Sequence, residues 1–181
     1  MGGVSEIEID VWLCLWFRHL QVFKGMTNLL RTTIAAQYTY ALVHKGDQPQ
    51  LVAGKPWERV RFEVVASDEA GLWDATGNQF VVPEGVNLVR LTGQIVFSHG
   101  ERGARQVLIT KNSALFDCYP AQNGAAFKGT TPDMNVSSPP LKVKQGDTFQ
   151  LHAWAVKSRW AKRPAEIYGN GGTWFSMEVL A

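Results

Sequence analysis

Apolar and polar side chains alternate most regularly between Phe80 and Phe97, in the stretch FVVPEGVNLVRLTGQIVF. A short apolar run ends in a Pro-Glu-Gly turn at Pro83 to Gly85. In the longer run that follows, Val89, Leu91, Gly93, Ile95 and Phe97 alternate with Leu88, Arg90, Thr92, Gln94 and Val96. A period of two is that of a pleated strand with one face in a core. The same pattern recurs in ARQVLITKN, PPLKVKQGDTFQLHAWAV and TWFSMEVL, set apart by Gly, Pro, Asn and Asp. WERVRFEVV predicts an earlier strand that brings Trp57, Val60, Phe62 and Val64 together, and SDEAGLWDATGN a loop after it. No amphipathic helix long enough for a crossover separates these segments. The pattern therefore predicts an all-β fold, a sandwich of antiparallel strands.

The first third of the chain is less regular. EIEIDVWLCLWF, residues 6 to 17, has Ile7, Ile9, Val11, Leu13, Leu15 and Phe17 on one face if it is a strand. Its apolar core is too short to cross a bilayer, and Glu6, Glu8 and Asp10 stand where a signal peptide needs positive charge. It is either a pairing strand or a weakly ordered leader upstream of Met26. LLRTTIAAQYTYALV mixes β-branched residues with helix formers and suits either element, and LVHKGDQPQLVAGKP is a turn-rich connection. The expected organisation is an N-terminal extension or attachment segment over 1–56, with 1–25 not necessarily ordered, and a head domain over 57–181.

A chain of 181 residues can bury a core without staples. Cys14 and Cys118 are far apart and define neither a disulfide framework nor a zinc spacing. A net charge of +2 with mixed signs gives no case for nucleic acid or membrane insertion. Seven tryptophans stand out, since Trp favours interfaces and sugar-stacking sites.

The ordered series Asp68, Gly71-Leu72-Trp73, Phe80, Val82-Pro83-Glu84-Gly85-Val86, Val89-Arg90-Leu91, Arg105-Gln106-Val107, Lys111-Asn112, Val136-Ser137-Ser138, Gly146-Asp147-Thr148-Phe149 and Thr173-Trp174-Phe175-Ser176-Met177-Glu178-Val179 resembles the complement-type globular heads of tailed-phage and prophage virion proteins. These belong to the tumour-necrosis-factor-like jelly rolls. The likeness covers roughly Trp57 to the C-terminus. It implies a jelly-roll sandwich of about ten strands, a homotrimer at the tip of a fibre or spike, and a binding module that is not an enzyme. It also implies that the turn at Gly146-Asp147 joins paired strands at Leu141 to Lys144 and Thr148 to Val156, and that the strand with Trp174 and Phe175 lies centrally in its sheet. No collagen-like or coiled-coil stalk precedes the head. The resemblance further implies a virion location, with synthesis in the bacterial cytoplasm and no signal peptide.

The residues themselves add that both strand faces carry large apolar groups. With Val89, Leu91, Ile95, Phe97, Val107, Ile109, Leu141, Val143, Phe149, Leu151, Phe175, Met177 and Val179 on the core face, the other parity holds Leu88, Val96, Leu108, Trp154, Val156 and Trp174 beside Arg90, Gln94 and His152. Such a patch normally meets another surface. Leu88, Leu108, Trp154 and Trp174 are the expected contacts between subunits, the alternative being cover by the N-terminal segment.

In the connection Lys157 to Gly172, Arg159, Trp160, Arg163 and Tyr168 combine cations with flat rings. They suit a host surface polysaccharide or a neighbouring virion protein. Connections Ser98 to Ala104 and Asp117 to Asn135 are secondary candidates. His19, His44, His99 and His152 are scattered and make no triad or zinc site. Asp68, Glu69 and Asp74 could offer oxygens to calcium, but a solvated acidic turn fits better, so neither cofactor nor metal is expected. A decoration or assembly protein without a receptor, and a carbohydrate-active enzyme, are the alternative functions.

Overall fold

Fourteen strands, all paired antiparallel, are present in the computed structural model, which describes residues 39–52, 57–97, 103–126, 132–157, 165–169 and 171–181. They are β1 (Tyr40–His44), β2 (Gln50–Val52), β3 (Glu58–Arg59), β4 (Val64–Asp68), β5 (Trp73–Asp74), β6 (Gln79–Val81), β7 (Leu88–Val96), β8 (Gly103–Lys111), β9 (Ala114–Ala126), β10 (Asp133–Ser137), β11 (Leu141–Lys142), β12 (Thr148–Lys157), β13 (Ala165–Ile167) and β14 (Trp174–Val179). The first sheet runs β10-β7-β14-β1-β4, with β11 also on β7. The second runs β5-β6-β12-β8-β9, with β3 also on β12, and β13 pairs with β2. Among the described residues there is no helix, and so none long and apolar enough to cross a membrane.

The two large sheets share one core. Phe175 of the first sheet stands 4.9 Å, ring to ring, from Phe80 of the second and stacks on Phe62 at 6.1 Å. Gly93 keeps the layers close, because a β-carbon there would lie 3.1 Å from Leu151 and 3.3 Å from Phe175. Every residue that the alternation places on the core face is buried except Val143, which packs against the core half-buried.

Four expectations are corrected. WERVRFEVV is not one strand that brings Trp57, Val60, Phe62 and Val64 together: β3 ends at Arg59, β4 begins at Val64, and Val64 is exposed while Val60 and Phe62 are buried. Residues 40–52 are not an extension: β1 lies between β14 and β4, and Thr39–Ala181 forms one compact unit. Asp117 to Asn135 is not one loop, since β9 and β10 occupy most of it. The turn at Gly146, where φ is +83°, does not close a hairpin either: β11 pairs with β7 in the first sheet and β12 with β6 and β8 in the second. The turn carries the chain between layers. It is fixed by Asp147, which accepts hydrogen bonds from the Lys144 amide at 3.0 Å and Asn112 Nδ2 at 3.0 Å.

The β8–β9 hairpin turns on Asn112 (φ +51°) and Ser113 (φ +60°), between the paired Lys111 and Ala114. Positive φ at both central residues is the primed turn that matches strand twist, and glycine suits its second position best. A left-handed conformation costs an ordinary residue about 1–2 kcal/mol, and Ser113 is exposed. Ser113→Gly is therefore expected to stabilise the protein by roughly 1 kcal/mol in urea unfolding. A loss of stability would mean that the hydroxyl holds the turn.

Candidate functional site

The outer face of the first sheet exposes the apolar side chains of Tyr40 and Val64. The ladder sets His44 against Trp174 and Val64, Leu42 against Ser176, and Tyr40 against Glu178. On the other side of β14, Trp174 is opposite Gln94 and Glu178 opposite Arg90. Paired residues of adjacent strands share a face, so Tyr40, Leu42, Trp174 and Val64 lie on one face, with His44 between Trp174 and Val64, beside the polar centre made by Thr92, Ser176 and the exposed Arg90–Glu178 ion pair at 3.2 Å. Tyr40 is 48% exposed, and Val65, at the irregular edge of β4, is 49% exposed.

The four residues expected at a subunit contact do not share one face. Leu88 and Trp174 are on the outer side of the first sheet, Leu88 opposite Lys142 and Trp174 opposite Gln94. Leu108 and Trp154 are on the outer side of the second, opposite His152 and Gln106. Leu108 is already buried within the chain, and Trp154 is half-buried with its ring 6.1 Å from Trp57. Parity along a strand says which side a residue takes but not which sheet the strand joins. The face that this geometry favours is carried instead by Tyr40, Leu42 and Val64, while Val65 pairs with the core residue Val43. For Tyr40 and Leu42 the signal in the sequence is the short alternation YALVH, too brief to separate from a helix turn.

No protein-family model and no curated protein matches this chain. The site is therefore read from its own residues.

Of the four side chains expected to meet a ligand, Arg159, Trp160 and Arg163 lie outside the described residues. Tyr168 follows β13, is exposed, and ties its backbone N–H to the Val96 carbonyl at 2.8 Å. The connection is thus stitched back onto the sheets by β13, with Ile167 also bridging to Phe97.

The acidic turn has little to offer a cation. Asp68 accepts from the amides of Leu72 and Trp73 at 2.7 and 3.0 Å, and Asp74 from the amides of Thr76 and Gly77 and from Gln79 Nε2. The Gly77 amide and Gln79, helped by the Thr76 amide and opposed by slight burial, hold the Asp74 carboxyl below its ordinary range. Among the described residues no group of His, Cys, Asp or Glu is placed to hold a metal. His44 and His152 sit on different sheets, and His19 and His99 lie outside the described residues.

Proposed function

We propose that the chain is a jelly-roll binding head that assembles as a homotrimer through the outer face of its first sheet, within a phage or prophage particle. The observation that carries this reading is the nested pairing of its eight principal strands. Taken in chain order as β1, β6, β7, β8, β9, β10, β12 and β14, the first pairs with the last, the second with the seventh, the third with the sixth and the fourth with the fifth. Nested pairing folded into two sheets is the plan of a jelly roll. The central place of β14 in its sheet agrees with the likeness to complement-type heads.

The face that carries Tyr40, Leu42, Trp174 and Val64 supports self-association. Closed symmetric assembly is the common fate of an exposed apolar patch, here beside a polar centre, and each buried aromatic adds several kcal/mol at about 25 cal/mol per Å². Copies packed this way leave the connections at the sheet ends, including the one with Tyr168, free for a host glycan or a neighbouring virion protein.

Light scattering during size-exclusion chromatography is expected to give three times the 20.1 kDa chain mass. Leu42→Arg is expected to give folded monomer by circular dichroism, whereas Trp154→Ser on the opposite layer keeps the oligomer. A monomeric wild type, or dissociation by Trp154→Ser alone, would sink this interface. A bacterial glycan array separates a receptor-binding head from a decoration protein.

A further inference from the structure

The two-stranded ribbon of β2 and β13 turns one side to the core and the other to solvent. Val52, Ala165 and Ile167 are buried, whereas Leu51 and Tyr168 are exposed and Glu166 is half-buried. In the ladder Leu51 is opposite Glu166 and Gln50 opposite Ile167, so the same register carried one residue further sets Pro49 opposite Tyr168. Residues opposite each other, and residues two apart along a strand, share a face. Pro49, Leu51, Glu166 and Tyr168 are therefore the corners of one outward patch. At 58% Leu51 is the most exposed of the large apolar side chains described, and Tyr168 is 38% exposed.

The backbone under this patch is tied down on two sides. The Tyr168 N–H donates to the Val96 carbonyl at 2.8 Å and Ile167 bridges to Phe97, which anchors the ribbon to the end of β7. Gly169 lies so close to the Gly46–Asp47 backbone that a β-carbon on it would overlap the Gly46 carbonyl and stand 2.9 Å from Asp47 Cα. That contact brings the exposed Asp47 to the Tyr168 corner. Among the described residues neither the Asp47 nor the Glu166 carboxylate makes a hydrogen bond or an ion pair. The dimensions of the patch choose its occupant. Two residues along a strand by two strands across span about 7 Å by 5 Å, far less than the roughly 800 Å² that each partner gives to a stable protein interface. A sugar ring fits this span, with its apolar C–H face on Tyr168 and Leu51 and its hydroxyls donating to Glu166 and Asp47. Two carboxylates repel a uronate or a phosphate at such short range, so the ring is neutral or carries an amine.

We propose that Leu51, Tyr168, Glu166 and Asp47 form a surface subsite for one neutral or amino-substituted sugar unit of a glycan. The proposal rests on the binding-head reading for the source of its ligand, and between a glycan and a neighbouring virion protein it selects the glycan. The site lies within one chain, so it is tested apart from assembly.

The full chain is mixed with galactose, N-acetylglucosamine, glucosamine and glucuronic acid, and binding is read by saturation-transfer NMR. At least one of the first three is expected to receive saturation from the protein, and glucuronic acid none. Tyr168→Ala and Leu51→Ser remove exposed groups, so each is expected to keep the wild-type melting temperature while weakening binding about tenfold. Glu166→Gln keeps the shape and removes the charge, and it is expected to weaken glucosamine most and to let glucuronic acid bind. Three results overturn the proposal: no sugar binds, glucuronic acid binds the wild type as well as the others do, or Tyr168→Ala and Leu51→Ser both leave the affinity unchanged. The last is the result expected if the patch meets protein instead. A trimer that binds none of the sugars leaves the oligomer result standing and removes this subsite alone.

Discussion

Replacing Phe175 with alanine is expected to cost about 3–5 kcal/mol, the range for emptying a large aromatic site in a core. In a chain of this size that lowers the melting temperature by on the order of 10 °C. Phe175 is 1% exposed, and its ring meets Phe80 at 4.9 Å and Phe62 at 6.1 Å, with Trp73 edge-on to Phe80 beyond them at 5.1 Å. It therefore ties β14, at the middle of the first sheet, to β6 of the second. Gly93 leaves space for this contact, and the neighbours cannot collapse into the hole without moving a whole strand. Phe175→Leu keeps most of the volume and is expected to cost less than half as much. A loss under about 1.5 kcal/mol for the alanine variant in urea unfolding would mean that the two layers are not held together at this point.

The long strands were legible because their environment repeats. β7, β12 and β14 have one face in the core along most of their length, and the two-residue period records this directly. β9 was not legible. Its sequence ALFDCYPAQNGAA holds Pro120, Gly124 and Asp117, which argue against a central strand, and its turn is Asn-Ser where Asn-Gly would announce a hairpin. The structure accommodates the proline by placing β9 at the edge and skipping Pro120 in the ladder, where Leu108 pairs with Ala121 and Ile109 with Tyr119. Proline is tolerated at such bulges because no donor is needed there.

The faces were half legible. That Trp174 and Trp154 both point away from the core follows from parity. That they belong to opposite layers depends on pairings between residues far apart in the chain, Trp154 with Gln106 and Trp174 with Gln94, which alternation does not encode. The side-chain hydrogen bonds that run from Asp74 through Gln79 and Gln150 to His152 were hidden for the same reason, because these residues come from β5, β6 and β12 and meet only once the second sheet is assembled. Gly146-Asp147 misled in the opposite sense. The dipeptide does turn, yet its partners lie in different sheets, so a local signal was correct about conformation and silent about topology.

Asp147→Asn is expected to destabilise the protein by about 2–4 kcal/mol at neutral pH, the range for breaking a buried, charge-assisted network. Oδ2 of Asp147 takes both the Lys111 ammonium at 2.7 Å and the Lys144 amide at 3.0 Å, while Oδ1 takes Asn112 Nδ2 at 3.0 Å. Asn112 in turn accepts from the Thr148 amide at 2.8 Å, so one carboxylate fastens the β8–β9 turn to the crossover that enters β12. An amide at 147 has to aim its own NH₂ at one of these donors, which is why the near-isosteric change is expensive. Burial pushes the Asp147 carboxyl upward. The bonds from Lys111, Asn112 and the Lys144 amide, with the charge of Lys111, outweigh it and bring the group below its ordinary value of 3.8. A folded-state value below the unfolded one adds stability that is complete above about pH 4 and is lost as pH falls through the folded value. The gap between wild type and Asp147→Asn, followed by urea unfolding across that window, should therefore shrink as the carboxylate is protonated. A gap that stays constant well below pH 3.8 would show that the shape of the side chain, and not its charge, holds the crossover. In a double-mutant cycle with Lys111→Met, a coupling near zero would place the stabilisation in the Lys144 amide and Asn112 instead.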